Sequence, residues 1–224
     1  KAMSLPLEVQ VVNRTLPAPK DWAFNLDLWQ NPYAVARYYN VPLWSQEHFD
    51  LMRPIMKMLA DVGQDAITAS IMHKPWNGQT EDHYDSMVGR IKKLDGTWSF
   101  DYTVFDKWVT FMREDVGIDG IISCYTMIPW AMRFDYYDQA TSRIQFVEAQ
   151  PDEPAYAEYW LPFLKDFSRH LREKGWFEQT AISMDERPME AMQGAIKIIR
   201  EADPEFKITL AGNYHAEIVD DLYY

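Results

Sequence analysis

Short apolar runs alternate with longer amphipathic segments along this chain, and that alternation restricts its fold more than any other feature of the sequence. The short runs predict five buried strands, at residues 24–29, 66–72, 120–128, 179–184 and 207–212. Apolar residues at helical spacing predict helices in residues 45–62, 104–112, 160–171 and 188–202. A chain that alternates strands with helices is expected to build a parallel sheet.

Two α/β architectures share this pattern. A doubly wound nucleotide-binding sheet needs a glycine-rich turn after its first strand, and residues 29–32, Trp-Gln-Asn-Pro, do not provide one. We therefore predict a (β/α)8 TIM-barrel. A whole barrel takes about 250 residues, so this chain is expected to carry only about the first five β/α units. Residues 221–224 are the candidate start of a sixth strand.

The remaining segments are predicted from local turn and strand signals. We expect loops in residues 30–39 and 129–137 and a hairpin-like turn at Asp95-Gly96. Residues 5–11 alternate apolar and polar side chains and precede a proline-rich stretch, which predicts one strand and a linker. We therefore divide the chain into the end of a preceding β domain, residues 1–20, and the N-terminal part of the barrel, residues 21–224.

Composition excludes several classes of function. The formal net charge of −12 argues against nucleic acid or an anionic membrane as a partner. No apolar run is long enough for a membrane span, and no signal peptide is recognisable. The single cysteine, Cys124, lies in an apolar run and is predicted to be a buried, unreactive side chain. The five histidines lack metal-ligand spacing, and no phosphate-binding glycine loop exists, so we expect neither a metal nor a cofactor.

The strongest chemical signal is the adjacent pair Asp185 and Glu186, which ends the fourth predicted strand. Pro188 suits the first position of the helix that follows. Catalytic groups of barrel enzymes emerge at such strand-to-helix junctions. Acidic residues also stabilise helix N-termini without any catalytic role. The spacing alone supports both interpretations equally.

The segments that follow the predicted strands share one chemistry, a combination of aromatic rings with amides, carboxylates and imidazoles. Flat rings stack on the C–H faces of a sugar, and the polar groups pair with its hydroxyls. Any one of these aromatic residues alone would be explained by core packing, but together they indicate a carbohydrate site. The candidate substrate-binding residues are Trp29, His73, Trp76, Gln79, Tyr125, Trp130, Arg187, Asn213, Tyr214 and His215.

Four stretches of this sequence resemble glycoside hydrolase family 123, the β-N-acetylgalactosaminidase-like proteins common in gut bacteria. They are Ser99-Phe100-Asp101-Tyr102-Thr103-Val104-Phe105-Asp106, Tyr125-Thr126-Met127-Ile128-Pro129-Trp130, Met184-Asp185-Glu186-Arg187-Pro188 and Leu210-Ala211-Gly212-Asn213-Tyr214. The resemblance covers most of residues 21–215. It implies that the preceding β domain is a β-sandwich, that the barrel is catalytic, and that the full-length protein is periplasmic or extracellular.

The resemblance also implies a mechanism for removing a terminal β-linked N-acetylhexosamine, with N-acetylgalactosamine as the expected sugar. Glu186 would be the general acid and then the base, while Asp185 would orient the 2-acetamido group that replaces an enzyme nucleophile. Adjacent strand residues point to opposite faces, so the chain must bend at Asp185 for both carboxylates to reach one sugar. Two alternatives remain open: a glycosidase for another sugar, with its nucleophile in the missing part, and a non-catalytic carbohydrate-binding barrel.

Overall fold

The computed structural model describes residues 3–223, which form an α/β fold with two four-stranded sheets. The helices are α1 Pro32–Tyr39, α2 Gln46–Asp61, α3 Thr103–Thr110, α4 Pro154–Lys174 and α5 Met189–Ala202. The strands are β1 Ala66–Ser70, β2 Gly89–Lys92, β3 Trp98–Asp101, β4 Ile121–Tyr125, β5 Arg133–Asp138, β6 Arg143–Glu148, β7 Thr180–Asp185 and β8 Lys207–Ala211. A π-helical turn at Phe111–Val116 extends α3.

The central sheet has the order β1-β4-β7-β8, and every neighbouring pair in it is parallel. Its strands therefore follow one another along the chain, with helices between them. This arrangement confirms the predicted parallel sheet and four of the five predicted strands. Because the strands are parallel, their carboxyl ends lie at one edge, where Ser70, Tyr125 and Asp185 end β1, β4 and β7.

The two faces of the central sheet differ in chemistry. One face contributes apolar side chains to the main core beneath the helices, and these include Ile67, Ile122, Ile182 and Ile208. The opposite face carries small hydroxyl side chains, namely Thr68, Ser123, Ser183 and Thr209, all of them buried. Because side chains alternate along a strand, Asp185 lies on the same face as Ser183, at the end of β7.

The second sheet, β3-β2-β5-β6, is built from two hairpins that are inserted after β1 and after β4. The hairpin of β2 and β3 turns at Asp95-Gly96, as predicted, where Gly96 has a φ of +82°. The loop expected in residues 129–137 includes most of β5. That expectation is wrong for residues 133–137, because β5 pairs with β2 and β6 and its Phe134 is fully buried.

Helix α4 supports the second sheet through a continuous aromatic cluster. Tyr156, Tyr159 and Trp160 surround Phe134 with ring centroids 5.2–5.7 Å apart. Arg90 of β2 enters the same cluster and lies 4.2 Å from the centroid of the Phe163 ring. This packing fixes the inserted hairpins against α4, and so positions the segment between β4 and β5.

The predicted first strand, residues 24–29, is reduced to a single bridge between Leu26 and Gln64. Side chains take the place of a backbone ladder along the edge of β1. The side chain of Gln30 forms two hydrogen bonds with the backbone of β1. Its Oε1 accepts from the N–H of Thr68, and its Nε2 donates to the carbonyl of Ala66. The edge of β1 is therefore satisfied without a fifth strand.

Three further expectations need correction. The predicted strand in residues 5–11 is absent, because its apolar side chains are exposed and have no partner in the described part of the chain. Residues 32–39 form α1 and not a loop, since the side chain of Asn31 caps the first turn. Pro188 is the N-cap residue of α5, with an extended ψ of 140°, and not its first helical residue.

Candidate functional site

Asp185 and Glu186 lie at the carboxyl end of β7, as the sequence predicts. Asp185 is the last strand residue, and its Oδ1 accepts a hydrogen bond from the backbone N–H of Glu186 at 2.9 Å. The backbone bends at Glu186, directly after the strand ends. The bend that the two adjacent carboxylates require is therefore present, and each side chain has its own set of partners.

The carboxylate of Asp185 is bound by Trp130, which lies in the segment between β4 and β5. The indole Nε1 of Trp130 donates to Asp185 Oδ2 at 3.2 Å. Arg187 covers the same indole, with its guanidinium carbon 4.6 Å from the ring centroid. The backbone N–H of Trp130 donates to the carbonyl of Pro75. Trp130 therefore connects the segments that follow β1, β4 and β7, and 45% of it remains exposed.

The carboxylate of Glu186 is bound by the loop that follows β8. Asn213 Nδ2 donates to both carboxylate oxygens, at 2.9 and 3.2 Å. His215 Nε2 lies 3.6 Å from Glu186 Oε1. Gly212 allows this approach, because a Cβ added there would lie 2.9 Å from Glu186 Cβ. Asp185 and Glu186 are thus held by opposite neighbours, β4 on one side and β8 on the other.

These contacts argue against a simple capping role for the pair. Helix α5 begins at Met189 and has no side-chain hydrogen bond at its N-cap. The acidic residue in its first turn is Glu190. Neither Asp185 nor Glu186 satisfies the free N–H groups of the helix, so N-capping does not account for the two carboxylates.

An aromatic cluster lies at the same edge of the sheet. Trp29 stacks on Trp76, with ring centroids 4.8 Å apart, and lies 4.9 Å from Tyr125. Trp76 and Tyr125 are buried, whereas 40% of Trp29 is exposed. Of the three predicted contact residues, Trp29 alone therefore offers a large free ring face, and the other two support it from below.

Some of the remaining predicted site residues lie at the carboxylate pair, and others lie away from it. Arg187, Asn213 and His215 contact the carboxylate pair or its partners, and Tyr214 is 77% exposed between the last two. His73 and Gln79 make no contact with Asp185 or Glu186 among residues 3–223. His73 instead pairs with Asp85 at 3.0 Å and lines a separate cleft of about 790 Å³.

Two buried tyrosines that are not among the candidate substrate-binding residues build the floor beneath the aromatic cluster. Tyr33 donates to the carbonyl of Asp85, and Tyr84 donates to the carbonyl of Gln30. Burial raises the pKa of both phenols, so both stay neutral at physiological pH. Tyr33 lies on α1, which was expected to be a loop, and no local pattern marks Tyr84.

The described residues hold no cluster of three or more side chains that could bind a metal ion. Within residues 3–223, no helix has the length and hydrophobicity needed to cross a membrane.

This chain is similar to known proteins in both its sequence and its fold. The profile described as "Glycoside hydrolase 123, catalytic domain" matches residues 29–224. A structure with a TM-score of 0.87 and 33% sequence identity is a family 123 glycoside hydrolase from Clostridium perfringens, studied for glycolipid glycan hydrolysis. The match covers 95% of this chain and 39% of that protein. No curated protein matches at a significant level. The family match over residues 29–224 and the similarity to this structure show that the chain belongs to glycoside hydrolase family 123.

Proposed function

We propose that the protein is a retaining β-N-acetylhexosaminidase that removes terminal N-acetylgalactosamine by a substrate-assisted mechanism. In this proposal, the four parallel strands are part of a (β/α)8 barrel, and the site lies at the carboxyl ends of its strands. One observation carries the proposal: two adjacent carboxylates are turned out of the same strand end and held by different donors, Trp130 for Asp185 and Asn213 for Glu186. Such an arrangement gives the two groups separate roles.

Glu186 acts as the general acid and then as the base. In the first step, it gives its proton to the glycosidic oxygen while the bond from that oxygen to C1 breaks. The acetamido carbonyl oxygen of the substrate forms a bond to C1, which gives a cyclic oxazolinium ion. In the second step, the Glu186 carboxylate takes a proton from water as that water attacks C1 and opens the ring. Two displacements at C1 retain its configuration.

Asp185 orients the reacting acetamido group. Its carboxylate accepts the hydrogen bond of the acetamido N–H and stabilises the positive charge that develops on the ring. Trp130 holds this carboxylate through Oδ2, and the backbone N–H of Glu186 holds it through Oδ1. A carboxylate that is fixed at both oxygens is preorganised for one direction of approach, which lowers the cost of reaching the transition state.

The sugar ring is expected to bind against the exposed indoles. Trp29 presents a free face above the buried rings of Trp76 and Tyr125, and Trp130 presents its own exposed edge beside Asp185. Aromatic faces match the C–H face of a hexose, while Asp185 and Arg187 can pair with hydroxyl and amide groups. The stacked floor keeps the contact surface rigid.

The experiment that tests this function compares substrates with and without the internal nucleophile. The full-length protein should hydrolyse nitrophenyl β-N-acetylgalactosaminide and should hydrolyse nitrophenyl β-galactoside at least about 10⁴-fold more slowly, because an internal nucleophile has a very high effective molarity. A thiazoline mimic of the cyclic ion should inhibit as an analogue of the transition state. The gluco and galacto forms of the acetamido substrate identify the preferred sugar.

Other outcomes would support the alternatives. Comparable turnover of the plain galactoside would mean that a protein side chain is the nucleophile. Binding of N-acetylgalactosamine without any turnover would mean that the protein is a carbohydrate-binding barrel. Either result would remove Asp185 from its proposed role.

A further inference from the structure

The loop after β8 contacts the proposed acid through two side chains, Asn213 and His215. Asn213 Nδ2 donates to both oxygens of Glu186, so the carbonyl of Asn213 is the group left for other partners. The side chain of Glu186 is 43% exposed, so one part of the carboxylate still faces solvent. The loop therefore contacts Glu186 from one side and leaves the other side open.

His215 is the second residue of this loop that contacts Glu186. Its Nε2 is shielded from solvent, has no hydrogen-bond partner among the described residues, and lies 3.6 Å from Glu186 Oε1. A shielded ring nitrogen without a partner is costly unless a nearby group compensates it. Glu186 is the carboxylate in position to do so. Because this nitrogen does not reach open space, it is placed to face Glu186 and not a sugar.

We propose that Asn213 and His215 are positioning residues that hold the Glu186 carboxyl in its reactive orientation, and not ligands of the sugar. The proposal rests on the function proposed above and refines the roles of two of its residues. It also gives Gly212 a role, because only a residue without a Cβ lets the loop approach Glu186 this closely.

The other charged groups near Glu186 are already engaged elsewhere. Asp185 accepts hydrogen bonds from Trp130 and from the backbone of Glu186. The guanidinium of Arg187 stacks on the indole of Trp130 and forms no ion pair with either carboxylate in the described chain. Within residues 3–223, His215 is therefore the basic side chain at ion-pair distance from Glu186, and Asn213 is its side-chain hydrogen-bond donor.

Kinetics with different leaving groups separate a positioning role from a sugar-binding role. Misplacement of the general acid lowers the rate of hydrolysis most when the leaving group needs a proton. Asn213→Ala and His215→Phe should therefore lower kcat/KM about 10- to 100-fold on a natural disaccharide, and only a few-fold on a nitrophenyl glycoside, with little change in KM. His215→Gln keeps a donor near Oε1 and should restore part of the loss. A sugar ligand would instead raise KM by the same factor on both substrates.

A double-mutant cycle gives a second kinetic test. In a Glu186→Gln background, no acid remains to be positioned, so Asn213→Ala should cost almost nothing further. Full additivity of the two substitutions would overturn the proposal. Gly212→Ala should reproduce the selective loss on the disaccharide. Its matched control is Gly78→Ala, because an added Cβ at Gly78 meets no atom within 4 Å.

An NMR comparison at one fixed pH tests the contacts without any enzyme activity. Glu186→Gln replaces the charged acceptor with a neutral amide and should change the chemical shifts of the Asn213 side-chain amide and of the His215 ring. Glu190→Gln removes the same charge from the first turn of α5 and should leave these signals unchanged. If the protein hydrolyses no acetamido sugar but these signals still respond to Glu186→Gln, the proposed function fails and the contact stands. Unchanged signals of Asn213 and His215 would overturn the positioning role itself.

Discussion

At the end of β7, two neighbouring carboxylates differ in what surrounds them. Asp185 accepts from an indole N–H and from a backbone N–H, so both of its oxygens are fixed. Glu186 accepts from one amide and faces an imidazole, and its carboxyl remains partly open. A fixed carboxylate suits the role of orienting a substrate, whereas a partly open one suits proton transfer to and from the substrate.

Substitution of each carboxylate should separate these two roles. Glu186→Gln should lower kcat on a natural glycoside by about 10²–10⁴-fold and should cost much less on a nitrophenyl glycoside, whose leaving group needs no proton. Asp185→Asn should lower kcat on both substrates by similar factors, because the proposed mechanism uses the acetamido nucleophile with either. Steady-state kinetics on the two substrates measure the difference.

Glu190→Gln is the matched control for this comparison. Glu190 lies in the first turn of α5, four residues from Glu186, and does not contact the carboxylate pair. The Glu190→Gln substitution should leave the rates on both substrates nearly unchanged. Equal losses for Glu186→Gln on both substrates would exclude Glu186 as the general acid.

The inserted hairpins are the elements that place Trp130. The segment that contains this residue leaves β4 and immediately enters β5, and β5 is anchored on α4 by Phe134. The core of the inserted sheet therefore controls how firmly the indole is held beside Asp185. Stability and site geometry are linked through this one hairpin.

Truncation inside this hairpin should unfold the chain more easily. Phe134→Ala removes a fully buried ring and should lower the free energy of unfolding by about 3–5 kcal/mol. Phe146→Ala is the control on the paired strand β6: its ring is 41% exposed and packs under Arg133, so we expect a cost of less than about 1 kcal/mol. Urea unfolding of the two variants measures the difference. Similar costs would mean that α4 does not anchor the hairpin.

The molecule as a whole carries a formal charge of −12, so acidic groups repel one another across it. Asp65, just before β1, is the clearest case. Burial and then the neighbouring Asp119 raise the pKa of its carboxyl. A raised pKa means that the charged form is disfavoured in the folded state, so the ionised carboxyl destabilises the fold at neutral pH.

Removal of this charge should stabilise the protein in a way that depends on pH. Asp65→Asn should raise the free energy of unfolding at pH 7 by about 0.5 kcal/mol or less, because the side chain is partly solvated. The gain should shrink as the pH falls through the pKa of the folded state and should vanish below about pH 3, where the carboxyl is neutral in both states. Thermal unfolding from pH 3 to pH 8 measures this trend.

Asp61→Asn is the control for Asp65→Asn. Asp61 is the last residue of α2 and is exposed, and its substitution should change stability little at any pH. A constant gain for Asp65→Asn across the whole pH range would show that the charge is not its cause.

Local periodicity in the sequence was enough to predict the parallel sheet and the principal helices. Helices α2, α4 and α5 and the four central strands each contain their own apolar pattern, because one face of each element is buried in the same core. The position of Asp185 and Glu186 at a strand end was predictable for the same reason, since the apolar run of β7 stops at the first carboxylate. These features depend on neighbours within one turn or one strand.

Tertiary contacts alone decided the edge of the central sheet, the inserted β5–β6 hairpin and the partners of the two carboxylates. Residues 24–29 have a strand pattern, yet side chains of Gln30 and Gln64 satisfy the edge of β1 in place of a ladder. β5 lies in a segment that was expected to be a loop, and it is held in a sheet by its pairing with β2 and its packing on α4. Trp130 reaches Asp185 across 55 residues, and Asn213 reaches Glu186 across 27. No local pattern encodes such pairings, because they depend on how distant elements pack against one another.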